Sequence, residues 1–209
     1  MSDYQQIYKI LKNTYPGAKC ELEFSSTWQL LVATILSAQC TDIRVNLVTK
    51  GLFEKYPDAL STSKADVADI INYIKSTGLF NNKAKFIIAT AKIIVNDFAG
   101  KVPNTLSELI TLPGVARKVA NVVLGVGFNI NEGIAVDTHV NRLSQRLGLS
   151  KSITPEKVER ALMKLFPQAD WENISTLLIH HGRNICRAKN PKCESCPLAE
   201  LCPSAYQRK

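Results

Sequence analysis

No apolar run in this 209-residue sequence approaches the ~20 residues that a membrane-spanning helix needs, which excludes an integral helical membrane protein. The opening residues, MSDYQQIYKI, have no basic stretch followed by an apolar core, so no secretion signal is read there. Alternation of apolar and polar residues with period two never persists, which leaves no basis for a sheet. Neither an internal repeat nor a low-complexity stretch nor a linker is present. Runs of five or six like charges are absent too, so the basic balance does not come from a charged tail.

That balance is 26 lysines and arginines against 18 aspartates and glutamates, a formal net charge of +8. Spread along the chain, it points to a folded surface with a basic face and to polyanions as partners; the plain alternative is a soluble, positively charged surface.

What fills the sequence is a helical period. Tyr4, Ile7, Tyr8 and Leu11 make one stripe before Pro16, and TWQLLVATILSAQ is apolar all round, as a buried central helix is. Ser63 with Asp66 reads as a cap pair for a helix stopped by Gly78. Thr105 with Glu108 reads as a capping box, and Thr154 as an N-cap with Pro155 at the first helical position. The fold class is all-α. The Gly- and Asn-containing loop of residues 127 to 136 is the seam, and domains can share the chain discontinuously across it.

Of six cysteines, four close the sequence: Cys186, Cys193, Cys196 and Cys202, spaced C-x6-C-x2-C-x5-C. An unexported chain keeps thiols reduced, so metal ligation outranks two disulfides. Zinc usually takes two close C-x2-4-C pairs and only the middle pair here qualifies; an iron–sulfur cluster accepts wider spacing. Spacing alone leaves both metals open. Arg187, Lys189 and Lys192 lie in the loop between the first two cysteines and suit phosphate oxygens, or are simply solvated. Cys20 and Cys40 read as small apolar fillers.

The stretch LPGVARKVANVV, Leu112 to Val123, ends one helix at Pro113 and Gly114 and starts another around Val115. Unpaired N–H groups and the helix dipole at such an opening favour a phosphate. Lys118 falls in the first turn beside Arg117, as a phosphate contact or as an amine able to attack an electrophilic carbon. Asp137 follows an apolar run at a helix start, as an N-cap or as a carboxylate steadying a developing cation.

LSAQCTD, TGLFNNKA, LPGVARKVANVV, AVDTHVNRL, HGRNIC and the four-cysteine tail, in this order, closely resemble endonuclease III, the helix-hairpin-helix DNA glycosylases with an iron–sulfur cluster. The resemblance runs from about Trp28 to Cys202. It implies two helical domains flanking a DNA-binding groove: a six-helix barrel with the hairpin at 22–130, and a discontinuous iron–sulfur cluster domain at 1–21 and 131–209. It implies a bifunctional N-glycosylase and AP lyase of base-excision repair, acting as a monomer on double-stranded DNA with a damaged base, in the cytoplasm with the nucleoid.

By resemblance Lys118 is the nucleophile at C1′ of an oxidised pyrimidine nucleotide and Asp137 its helper. Cys186, Cys193, Cys196 and Cys202 hold a [4Fe-4S] cluster. Gly114, Val115, Ala116, Arg117, Arg187, Lys189 and Lys192 face the DNA backbone. Gln39 and Leu79 fill the space a flipped base vacates; otherwise they are a helix-terminal glutamine and a core leucine. His139 touches the site or fills core. Where the common hairpin is L-P-G-V-G, this chain has Ala116, expected in the helical first turn, where alanine is favoured. The related adenine glycosylases lack the hairpin lysine and carry an acid in the helix matching TWQLLVATILSAQ, which this chain lacks from Trp28 to Gln39. A non-catalytic DNA clamp is the rival of another class.

Overall fold

The computed structural model describes residues 3–207; positions 1, 2, 208 and 209 of the expected cluster domain lie outside them. Among the described residues there are eleven α-helices and no strand. The chain divides into two compact units, Glu21–Glu132 and Met1–Cys20 with Gly133–Lys209, and the division falls inside the loop of residues 127 to 136.

The discontinuous unit is built on α1 (Asp3–Thr14), whose Ile7 and Leu11 are buried as the stripe required. In the other unit α2 (Thr27–Leu36) starts where the Ser26 side chain accepts from the Gln29 N–H, and it buries Trp28 and every residue from Leu30 to Leu36. Each such Leu or Ile, fully buried, contributes about 1.5–3 kcal/mol. Then come α3 (Asp42–Lys55), α4 (Ala59–Ser63), α5 (Val67–Ile74), α6 (Phe80–Asp97), α7 (Leu106–Leu109) and α8 (Arg117–Val122), of which α3, α6 and α8 pack against α2 while α4 and α5 pack on α6 and α7 on α8. α8 runs on as a π-helical segment, Val123–Phe128, packed against α2.

The cap pair expected at Ser63 and Asp66 is corrected. Asp58 caps the short α4 through a reciprocal box with Ser61, and Ser63 ends that helix. Asp66 alone caps α5, accepting from the Ala68 N–H. Gly78, with φ of +67°, follows a 3₁₀ turn at Lys75–Thr77 and stops the run as expected.

Back in the discontinuous unit, α9 (Thr138–Arg146), α10 (Pro155–Leu165) and α11 (Trp171–Asn184) enclose Ile7 and Leu11 with Val140, Leu143, Val158, Leu162, Ile174 and Leu178. The rings of Tyr4 and Tyr8 each stand 5.7 Å from that of Phe166. Thr154 is the N-cap of α10 and Pro155 opens it, yet the threonine side chain makes no capping bond. Cys20 and Cys40 are only partly buried, so neither fills core.

Candidate active site and metal centre

The hairpin is held from both ends. The Glu108 N–H donates to the Thr105 hydroxyl (3.3 Å), which donates to the Glu108 carboxylate (2.6 Å). The Leu106 N–H donates to the Glu132 carboxylate at 3.2 Å. After α7 the Val115 N–H donates to the Leu112 carbonyl at 3.1 Å, and the Thr90 hydroxyl of α6 donates to the Pro113 carbonyl at 2.9 Å. Gly114 sits at φ of +78°, and a Cβ there would lie 3.0 Å from Phe86, so both backbone and space demand glycine.

The helix opens at Arg117, not near Val115. Ala116 is its N-cap, extended at φ −80° and ψ 167°, and so lies outside the helical first turn. The negative φ removes any strain from alanine. It also leaves the opening of α8 without a side-chain cap, since a methyl group accepts no hydrogen bond. The first intrahelical bond runs from the Ala120 N–H to the Ala116 carbonyl, so the N–H groups of Lys118 and Val119 have no carbonyl a turn behind them. Lys118, second in α8, is half-buried; Val115 is buried and Gly114, Ala116 and Arg117 are exposed.

Asp137 is the N-cap of α9, its Oδ1 accepting from the Val140 N–H at 2.8 Å. One turn on, His139 is half-buried with Nδ1 3.1 Å from Arg142 Nη2. A guanidinium only donates, so Nδ1 is the acceptor side of this contact. Burial holds His139 below the ordinary histidine pKa, with Asp137 opposing and Arg142 assisting. Gly182 makes room for this contact: a Cβ there would stand 2.7 Å from His139 Nδ1.

Gln39 and Leu79 are exposed, and both have left-handed backbones, φ +53° and +49°. Leu79, 58% exposed, is not a core leucine. Sequence reasoning missed the residue between them. Lys83 is buried on α6, and its ammonium donates to the carbonyls of Leu36 (2.8 Å), Ala38 (2.8 Å) and Thr77 (2.7 Å). The signal was present: residue 83 shares the buried face of α6 with Ala84, Ile87, Ala91 and Ile94.

Cys186, Cys193, Cys196 and Cys202 line one recess, with Arg146 and His181 in its wall. Among the described residues no trio of His, Cys, Asp or Glu has the geometry for a single metal ion. Burial pushes the Cys196 and Cys202 thiols up, and the neighbouring cysteine sulfurs add to it, so four thiolates here call for the positive charge of a metal centre. Donors surround the sulfurs: Arg146 Nη1 lies 3.2 Å from Cys186 Sγ and His181 Nε2 3.5 Å from Cys196 Sγ. Burial lowers His181 to a pKa of about 4, so the ring is neutral, with Tyr15 Oη 3.1 Å from Nδ1. The donor set fits an iron–sulfur cluster. Arg146, also missed by sequence reasoning, donates to the carbonyls of Arg187 (2.7 Å) and Ala188 (3.0 Å), and so braces the loop on which Arg187, Lys189 and Lys192 stand exposed.

Residues 32–168 match the family model of the HhH-GPD superfamily base excision DNA repair protein, and residues 186–202 that of the iron–sulfur binding domain of endonuclease III. The chain is 58% identical over 200 residues to endonuclease III of Synechocystis sp., covering 96% of this chain and 91% of that one. It is 45% identical over 195 residues to endonuclease III of Bacillus subtilis, covering 93% and 89%. A solved trapped endonuclease III–DNA covalent intermediate superimposes with a TM-score of 0.93 at 40% identity, over 100% of this chain and 99% of that one. A thermostable thymine-DNA glycosylase shares the fold, with a TM-score of 0.85 at 22% identity over 99% and 98% of the two chains.

Fold, hairpin and matched models define a helix-hairpin-helix enzyme of base-excision repair. Within that class the chain belongs to the endonuclease III family. It is a DNA glycosylase with AP lyase activity, and its segment 186–202 is the iron–sulfur domain that carries a [4Fe-4S] cluster.

Proposed function

We propose that this enzyme removes oxidised pyrimidines from duplex DNA and cleaves the strand through a covalent bond to Lys118. The Lys118 amine attacks C1′, the glycosidic bond breaks, and the base leaves with its electron pair. The nitrogen then gives up a proton, its lone pair breaks the C1′–O4′ bond, O4′ takes up a proton, and the opened sugar is held as a protonated Schiff base on Lys118 Nζ. A proton then leaves C2′, the C3′–O bond breaks, and the 3′ phosphate departs by β-elimination. Asp137 stabilises the sugar cation and relays a proton from the amine. The observation that carries this reading is the placement of Lys118 second in a helix whose opening is uncapped and whose entering turn is fixed by Gly114 and Thr90. A covalent intermediate with DNA has been trapped in the similar solved structure, and such a bond needs a nucleophile.

The N–H groups at the α8 opening, with Arg117, hold one phosphate; Arg187, Lys189 and Lys192 hold others. Cys186, Cys193, Cys196 and Cys202 are the cluster ligands. The cluster, when bound, supplies charge and a brace for the basic loop, and the chemistry at the sugar belongs to the side chains. Gln39 and Leu79 fill the stack once the base has left it, with His139 beside the site. The unit Glu21–Glu132 acts as the barrel domain and the discontinuous unit as the cluster domain. No helix of the described residues is long and apolar enough to cross a membrane, and we place the enzyme as a monomer in the cytoplasm, at the nucleoid.

Incubation with a duplex carrying an oxidised pyrimidine, in the presence of borohydride, tests the proposal. A protein–DNA adduct forms with wild type and is abolished in Lys118→Ala; absence of an adduct with wild type overturns it.

A further inference from the structure

The chain turns left-handed at Gln39 and again at Leu79, and neither residue is a glycine. L-residues hold that backbone only where their surroundings over-determine it. Leu79 has no cap of its own: it is the N-cap of α6 and its side chain makes no capping bond. Something other than local sequence fixes these two loops.

Lys83 lies where the loops meet. It is 3% exposed, and each of its three ammonium protons meets a carbonyl: Leu36 and Ala38 at 2.8 Å, Thr77 at 2.7 Å. Leu36 is the last residue of α2, where carbonyls lack intrahelical donors and the helix dipole is negative. Ala38 directly precedes Gln39. Thr77 closes the 3₁₀ turn two residues before Leu79. A cation taken out of water to meet only uncharged carbonyls is a poor source of stability. Burial accordingly holds its pKa below the ordinary lysine value, against the favourable field of Cys40. What the arrangement supplies is geometry, because one ammonium hydrogen-bonded at three points joins two segments some forty residues apart in sequence.

We propose that Lys83 is a positioning residue for base extrusion. Its ammonium ties the Gln39 and Leu79 loops together in their left-handed form, so that both side chains are set before the damaged base leaves the stack. The proposal rests on the reading of Gln39 and Leu79 as wedge residues. Without the tie the loops populate other conformations, and extrusion slows by the fraction of molecules in which both are correctly set.

The test uses the full-length, cluster-loaded protein and two DNA probes with one dihydrouracil each: a fully paired duplex with 2-aminopurine beside the lesion, and a single strand in which nothing need be extruded. Lys83→Met keeps the length of the side chain and removes its protons. Single-turnover excision should fall by about tenfold or more on the duplex, with the 2-aminopurine signal slowing in parallel, and stay within about threefold on the single strand. Lys83→Gln, which keeps two donors, should fall between. Equal slowing on both probes, no slowing on either, or loss of the fold in both variants overturns the proposal. Leu79→Ala and Gln39→Ala separate the two readings. If they excise from duplex at the wild-type rate, the wedge assignment itself fails. If they are slow while Lys83→Met is not, only the tie fails.

Discussion

Ala116 and Gly114 stand two residues apart and answer to different demands. Gly114 is needed for its left-handed backbone and for the space that Phe86 leaves, so Gly114→Ala should cost about 1–2 kcal/mol from backbone strain alone, read as a lowered urea midpoint. Ala116 is extended, so Ala116→Gly should leave DNA affinity unchanged. Ala116→Ser should do more: its hydroxyl can cap α8, raising stability by about 1 kcal/mol while weakening duplex binding, because the cap and a phosphate compete for the same N–H groups. Titrating labelled duplex against both variants checks the pair. Single residues were legible in the sequence where the partner is local. The Thr105–Glu108 cap and the Asp137 cap need three residues of chain, and both are present. For Lys83 the helical period showed the buried face of α6 but not the partners, because two of its three acceptors lie 45 and 47 residues away.

Among the elements, α1 shows how a helix outside the sequence block it packs on is secured. The Tyr8 hydroxyl donates to Asp170 Oδ1 at 2.6 Å, and burial first, then that bond, push the phenol well above its ordinary value of 10.0. Above pH 10 the unfolded chain therefore gives up this proton while the folded one keeps it. The folded state binds more protons there, so stability falls as pH rises through that range. Tyr8→Phe should flatten that alkaline decline, measured as urea midpoints from pH 9 to 11 relative to wild type. The α1 stripe is visible in its period, whereas α4 is not: five residues are too few to show a helical period, and the segment runs on into the one that follows. The opening of α8 was placed two residues early for a related reason, since the extended Ala116 is dictated by how the Gly114 turn is anchored to Phe86 and Thr90 of α6.

For the molecule as a whole, the net charge of +8 and the exposed cations near the cysteines predict a steep salt dependence of DNA binding. Replacing Arg187, Lys189 and Lys192 by alanine should flatten the slope of log K against log salt by about one per lost phosphate contact and leave the borohydride adduct chemistry intact. The two-unit division has a consequence in time. The unit Glu21–Glu132 is contiguous, but the other takes its first helix from residues before 21 and all the rest from residues after 132. At about 5–20 residues per second, a ribosome delivers α1 many seconds before anything exists for Ile7 and Leu11 to pack on. The nascent chain must carry that greasy stripe uncovered while its middle folds, so ribosome-stalled chains from which residues up to 132 have just emerged should show a protease-resistant centre and a readily clipped leading helix.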